Sequence, residues 1–564
     1  MRKSLRFGRR SKALKDNSRT PLIKENNNNI QDGYDQAGDG YDLPCQNTFH
    51  EEQCLQNKNP VRSQELAQLL EVVPDAISIT SEDGYMCTVQ PEPSSGQHNL
   101  TLSVVSLIQR SVSEHFPKPP THPDQNLRQH LLHVQEAVVS ELVRLGPLLD
   151  PKGLMGCLID CYHRQTFDHL HSLLQNVTST HSSFVLMNWA THTYHSKELL
   201  GHPELQKMDP IKKVDVLLFK EWSEKAKDKL LENVQTEVRR SLEKILQIET
   251  RQGHCDCEED YVGLYVDIIQ CIDAIHKEAQ KISSKLSHQV QEICFRELLI
   301  FVSRYNTEQT EALGKIANMD KPATIHFLKT LRTCKELKQY VQTKGTGIKT
   351  SPLKETVQTL ENLEASALDL LMDVVADIAE SHLKKYFTSD SRRFLLLSAL
   401  KEHFPKLRFG LEEQKTVMDE AYKLIVRIYV KRLVKISQSK LKKRWSADVG
   451  QTVTEDAELL HNTISDLAPG VQQWNLMLLR VTDILECNSI EALKITVASM
   501  QKQFLTKSND MEFLRTLLRW KGLSKREVTE VLDALPPDFQ PRPDPDHQPR
   551  SARPWCSCFS CLSC

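Results

Sequence analysis

The sequence predicts an all-α protein, and three observations carry that prediction. The stretch from Leu411 to Val449 contains no glycine or proline, and its apolar residues recur at helical spacing. Glycine is scarce, 19 in 564 residues, and aromatics make up only 6%, whereas a sheet-dominated chain needs turn residues about every ten positions. From Leu100 onward apolar residues follow a three-and-four spacing, and no useful length of strand-like alternation interrupts it.

In chain order, residues 1–98 open with Arg2, Lys3, Arg6, Arg9, Arg10, Lys12 and Lys15 without an acid among the first fifteen positions. The polar run Asn26 to Asn29 and the GYDQAGDGYD and QPEPSSGQ segments follow. Little there can bury a core, so this region is expected to be a disordered basic tail with one short helix near Ser63 to Val73. The whole chain has 72 basic and 74 acidic residues. Setting the seven N-terminal cations aside leaves 65 basic against 74 acidic, a body near −9, so the cationic segment is a separate device. It reads as a lipid-binding segment for an anionic leaflet, or as a solvated tail or nuclear import signal. The negative body behind it argues against nucleic acid as a partner.

Residues 99–320 read as the first helical block. Helices are expected at Asn126 to Leu145, Leu154 to Gln175, Ser182 to Leu200, Asp209 to Ile248, Glu259 to Ser303 and Thr307 to Asn318, with Gly146-Pro147, Asp150-Pro151 and Gly201-His202-Pro203 as breaks. Leu231, Val234, Val238, Ile245 and Ile248 fit heptad spacing, which predicts packing along a partner helix for many turns.

Residues 321–535 form the second block. Its expected helices are Thr324 to Thr343, Pro352 to Phe387, Ser391 to His403, Leu411 to Val449, Thr454 to Ile464, Val471 to Glu486, Ser489 to Thr506, Asn509 to Arg519 and Ser524 to Leu535. Leu411 to Val449 reads as one helix of roughly 50 Å. On it Ala421, Ile425, Ile428, Tyr429, Leu433 and Ile436 share one face, while Lys423, Arg427, Lys431 and Lys435 repeat every four residues along another. Leu424, Val430 and Val434 fall outside the main apolar face, so more than one neighbour must cover this helix. The cationic seam is either a solvated stripe beside the core or a docking strip for an acidic helix or lipid headgroups.

Residues 536–564 join a proline-rich spacer to the terminus WCSCFSCLSC. Cys556, Cys558, Cys561 and Cys564, interleaved with Trp, Phe and Leu, suit reversible palmitoylation, and the last four residues also fit C-a-a-X loosely with Cys561 as the prenylated position. One acyl chain gives only about 10⁴ M⁻¹ of membrane partitioning, so a second signal is needed, and the basic N-terminus can provide it.

Other candidate motifs carry less. Gly345, Gly347, Lys349 and Thr350 lack phosphate-loop spacing and a preceding strand, so they read as an inter-helix loop. His254, Cys255 and Cys257 lack a suitably spaced fourth ligand for zinc. His192 and His195 lack a third. Neither catalytic motif nor cofactor fingerprint is present, and no metal is expected. The fifteen cysteines form no disulfide-like framework, and no apolar run is long enough for a membrane span or secretory signal, so a cytoplasmic protein with reduced thiols is expected.

Three segments resemble a known family. FVLMNWATHTYHSKELLGHPEL, Phe184 to Leu205, resembles the tryptophan-containing helix and GHP turn of the exocyst complex component three family. EAYKLIVRIYVKRLVK, Glu420 to Lys435, resembles its late helix, and LSKREVTEVLDAL, Leu523 to Leu535, its closing helix. The resemblance covers roughly Leu100 to Leu535 and leans toward the tumour necrosis factor alpha-induced protein two, or M-Sec, branch. It implies an elongated rod of stacked helical bundles and no catalytic residue. It implies a peripheral tether at the plasma membrane or secretory vesicles, acting in exocytosis or membrane protrusion. The partners it implies are SNARE proteins, exocyst subunits, a Ral-type small GTPase and phosphoinositides. The competing expectation is a soluble helical scaffold that binds proteins and no lipid.

Overall fold

The computed structural model describes Gln68, residues 79–80, 88–89, 95–252, 263–346, 351–389, 393–406, 411–445, 448–504 and 510–535. The chain is all-α, apart from a two-residue antiparallel pair ahead of the helices, β1 (Ile79–Thr80) against β2 (Thr88–Val89), with Ile79 opposite Val89. Two compact units are present, each discontinuous in sequence: the described residues up to 305 together with 336–360 form one, and 306–335 with the residues from 361 onward form the other.

In the first unit α1 (Ser95–His115), α2 (Pro123–Leu149), α3 (Met155–Asn176), α4 (Thr180–Asn188) and the start of α5 (Val216–Gln252) share one core, and α6 (Gly263–Ile282) packs on α4 and α5. Neither α2 nor α3 has a side-chain N-cap hydrogen bond. Their stability therefore comes from buried stripes such as Val134, Val138, Leu142 and Leu145 on α2 and Leu158, Phe167, Leu170 and Leu173 on α3. Full burial of each such side chain is worth about 1.5 to 3 kcal/mol. Asp124 in the first turn of α2 fastens the α3–α4 junction, accepting from the backbone and hydroxyl of both Thr178 and Ser179. Burial works upward on this carboxyl, yet the hydrogen bonds from Thr178, Ser179 and Ser182 hold it down at about 2.

Several expected boundaries move. The break at Gly146-Pro147 does not occur: α2 runs through both residues to Leu149, because a proline in the last turn forfeits one hydrogen bond while Leu145 and Leu149 gain burial. The helix expected over Ser182 to Leu200 ends at Asn188, where a π-turn (Trp189–Thr193) begins. Thr191 and Ser196 hydroxyls there donate to the carbonyls of Met187 and Thr193 in competition with the helix ladder. Glu259 to Ser303 is two helices, since the Ser283 hydroxyl accepts from the Leu286 amide and starts α7 (Ser284–Ala317). With no glycine or proline near Tyr305, α7 then continues through the expected helix at Thr307. The heptad reading of α5 holds at Val234, Val238 and Ile245, but Leu230 and Leu242 are buried in place of Leu231 and of Ser241, the residue at the remaining d position, and Leu231 and Ile248 are only half-buried.

The remaining helices are α8 (Ile325–Lys344), α9 (Ser351–Thr388), α10 (Leu396–His403), α11 (Leu411–Leu433), α12 (Gln438–Trp445), α13 (Val449–Leu467), α14 (Asn475–Glu486), α15 (Ile490–Phe504), α16 (Asp510–Lys521) and α17 (Lys525–Asp533). In the second unit α13 packs on α14, α14 on α15, and α15 and α16 on α17. Gly522, at φ +112, closes α16 with Leu523 N donating to Leu518 O. Ser524 and Glu527 then exchange the two hydrogen bonds of a capping box to start α17.

The single helix expected from Leu411 to Val449 is two. After Leu433 the ladder tightens, with Lys435 N bonding Arg432 O and Ile436 N bonding Leu433 O, and α12 begins beyond Ser437. The carbonyl freed at Ile436 accepts from Trp520 Nε1 at 2.7 Å, and Gln438 Nε2 donates to the Trp520 carbonyl at 2.9 Å. An indole on α16 thus replaces the amide that helix continuation would have supplied. Trp520→Phe keeps an aromatic ring, smaller than the indole, and removes the donor, so we expect it to cost at least about 1 kcal/mol in urea unfolding; an unchanged midpoint would remove Trp520 from this account.

Candidate functional site

The seam proposed from sequence lies on α11 and the turn after it. Lys423, Arg427 and Lys431 are half-buried, and Lys435 is exposed in the turn. Lys423 Nζ sits 5.2 Å from the centroid of the Trp474 ring and 3.8 Å from Glu420, and Lys431 Nζ lies 3.7 Å from Glu380 of α9, which also pairs with Arg432. Part of the seam is therefore engaged within the unit, and the structure relocates the outward charge. Ile436, expected on the apolar face, is only half-buried because the helix has already turned.

What the interruption creates is a cationic turn followed by a cationic helix. Between residues 421 and 447 the sequence has nine Lys and Arg and no Asp or Glu. Leu441 and Trp445 are buried and anchor α12, with Trp445 tilted against Tyr386 and Phe387 at 5.8 and 5.5 Å. Arg444 Nη1 donates to Phe387 O at 2.8 Å. Lys435, Lys440, Lys442 and Lys443 are left exposed around this anchor. Such an array attracts acidic surfaces, and its pull weakens with salt.

A buried polar group sets the position of α11 behind this surface. The Asp456 carboxylate of α13 accepts from Tyr429 at 2.6 Å and Tyr386 at 2.7 Å. Asp456 is 5% exposed, so both hydroxyls are satisfied away from water. In the first unit Glu297 of α7 plays a comparable part, accepting from Gln235 and, through a two-pronged pair, from Arg239. Burial pushes its carboxyl upward, and the Arg239 and Gln235 hydrogen bonds outweigh that and lower it.

Other sequence candidates fall in different places. His192 is exposed and within hydrogen-bond distance of Thr191 Oγ1, whereas His195 is half-buried and edge-on to Tyr194 and Phe219. Gly345 ends α8 with its amide on Val341 O. Arg2 to Lys15, His254, Cys255, Cys257, Gly347, Lys349, Thr350 and Cys556 to Cys564 lie outside the described residues. Among the described residues no group of three or more side chains is placed to hold a metal, and no helix is long and apolar enough to cross a membrane. Sequence reasoning missed Glu380, Asp456, Trp474 and Trp520. For Asp456 and Trp520 a general signal is available, that tyrosine and tryptophan side chains seek hydrogen-bond partners when packed; Glu380 and Trp474 have none.

The comparisons agree with this architecture. The chain is similar to the exocyst complex component 3-like protein of Danio rerio, 23% identical over 529 residues covering 79% of this chain and 66% of the relative. It is similar to tumor necrosis factor alpha-induced protein 2 of Mus musculus, 20% identical over 74% of this chain and 63% of the relative. Exocyst complex component 3 of Drosophila melanogaster is 21% identical over 72% of this chain and 58% of its own length. The chain thus spans about two thirds or less of these relatives. The crystal structure of M-Sec shares the fold, with a TM-score of 0.57 at 16% identity over 86% of this chain and 84% of that one. The model of the exocyst complex component Sec6 family matches residues 104–522, which is most of the chain, and the chain belongs to that family.

Proposed function

We propose that this chain is a non-enzymatic, exocyst-related tether that works peripherally at the plasma membrane or on secretory vesicles. It serves vesicle docking or membrane protrusion by holding acidic partners against a bilayer. The observation that carries this reading is the segment 421–447, nine cations without an acid, braced by Trp445, Trp520 and Asp456 so that Lys435, Lys440, Lys442 and Lys443 face solvent. Exocyst subunits, SNARE proteins and a Ral-type small GTPase are the protein partners of this reading, and phosphoinositides are its lipid. Arg2 to Lys15 supply attraction to an anionic leaflet, roughly 1 kcal/mol per cation before screening. Acylation at Cys556, Cys558, Cys561 and Cys564 supplies residence.

Flotation of the full chain from cells tests the anchor. With all four terminal cysteines changed to serine, the membrane-bound fraction is expected to fall by about an order of magnitude, since basic attraction alone is weak and salt-sensitive. Undiminished flotation of that variant would exclude an acyl anchor. Mass spectrometry of the last ten residues separates palmitate from isoprenoid. The rival reading, a soluble scaffold, predicts no binding of the wild type to phosphoinositide vesicles even at low salt.

A further inference from the structure

Far from the cationic turn in sequence, the segment between Asp209 and Phe219 in the first unit presents three aliphatic side chains to solvent. Ile211 is 43% exposed, Val216 66% and Leu217 67%. Single exposed aliphatics are ordinary on a protein surface, but these stand within seven residues of one another and are held there by several fixed contacts. Asp209 adopts a left-handed conformation, φ 43 and ψ 62, unfavourable for a residue with a Cβ. Pro210 and Val214 are buried to either side of Ile211. The Asp215 carboxylate accepts from the amides of Leu217 and Leu218, starting α5 at Val216. The Asp215 carbonyl accepts from His163 Nε2 at 2.9 Å, which leaves His163 Nδ1 to accept from the Tyr194 hydroxyl at 2.7 Å. Phe219, edge-on to Phe167 and His195, pins the far side.

The rim of this tip is cationic. Lys207, Lys212, Lys213 and Lys220 are exposed along it. The two acids within the same span are already committed, Asp209 to Lys212 at 2.7 Å and Asp215 to the helix start. Side chains two-thirds exposed protrude and do not line a groove, so a rigid protein partner would have to bring its own pocket. A lipid interface accepts protruding aliphatics without one, and lysines snorkel from an inserted tip to anionic headgroups.

We propose that the Ile211–Leu217 turn is a membrane-contact tip, in which Ile211, Val216 and Leu217 enter the headgroup–acyl boundary of an anionic bilayer while Lys207, Lys213 and Lys220 engage lipid phosphate and carboxylate groups. It gives the folded body its own grip on a membrane, separate from both chain ends, and rests on the tether reading only in taking a bilayer as the partner.

The test uses the full chain and phosphatidylcholine vesicles containing about a fifth phosphatidylserine. Changing Val216 and Leu217 together to serine is expected to lower vesicle partitioning about tenfold with an unchanged circular dichroism spectrum. A Leu217→Trp variant reports insertion directly: its emission, after subtraction of the wild-type signal, should shift to the blue on vesicles and be quenched by brominated acyl chains. Wild-type binding together with an unshifted Leu217→Trp emission would overturn the tip and leave the tether reading standing. Absence of any wild-type binding would remove both. Loss of self-association in the serine variant, with vesicle binding intact, would assign the turn to a second copy of the chain and likewise overturn the tip.

Discussion

Replacing Asp456 with alanine is expected to cost about 3 to 4 kcal/mol of stability in the second unit, because it orphans two buried hydroxyls together, those of Tyr386 and Tyr429. Each unsatisfied group costs about 1 to 3 kcal/mol, and the small cavity left behind adds to that. The cationic surface should loosen with it, since Tyr429 lies on α11 and Tyr386 packs against Trp445, which anchors α12. Urea unfolding checks the magnitude. Changing both tyrosines to phenylalanine in the Asp456→Ala background should recover at least half of the loss, because the orphaned donors are then gone; a triple variant no more stable than the single would show that the carboxylate acts through something other than these two bonds.

The second large effect is a loss of stability in mild acid centred on the first unit. His130 Nε2 and His169 Nε2 lie 2.6 Å apart in a buried setting, with Phe116 edge-on to His169. One ring must donate and the other accept. Burial lowers the affinity of both for protons, and at His169 burial, then the neighbouring His130, brings it down to about 4. An unfolded histidine titrates near its ordinary 6.5, so between those values the unfolded chain binds more protons than the folded one. The stabilisation from His169 is therefore complete above pH 6.5 and drains away as the pH falls toward about 4, a difference of about 2 to 3 kcal/mol. A second proton on the pair would set two N–H groups against each other. The fall should be visible in thermal melts between neutral pH and about 5, and His169→Leu should lessen it, with the burial-lowered His163 and His195 retaining a share. A wild-type midpoint that does not move across that range would contradict the buried neutral pair.

The helical class was legible because it depends on features that are local in sequence: scarce glycine and three-and-four periodicity. The buried face of α11 was legible for the same reason, and Ala421, Ile425, Ile428, Tyr429 and Leu433 are all buried as expected. The interruption after Leu433 was not. No proline or glycine marks it, and its stabilising partner, Trp520, is distant along the chain, so a tertiary hydrogen bond overrode an unbroken helical pattern. In sequence the cationic seam is four evenly spaced charges on one helix, and the structure keeps Lys423 and Lys431 partly occupied by Trp474 and Glu380 while α12 presents Lys440, Lys442 and Lys443. Charge was visible in the sequence, but which charges are spent inside the fold depends on cross-helix neighbours that no spacing rule encodes. The Tyr194–His163–Asp215 chain is out of reach of spacing for the same reason, although Tyr194 lies within the Phe184 to Leu205 segment that carries the family resemblance.

The hydrogen bond from Trp520 to the carbonyl of Ile436 spans 84 residues, and that separation bears on synthesis. A nascent chain that has emerged only as far as Trp445 holds the basic segment and its anchors at Tyr386 and Phe387, but lacks the indole that takes up the freed carbonyl of Ile436. The turn at Ile436 is completed only when α16 has left the ribosome, so until then the break in the basic segment rests on its aromatic anchors alone.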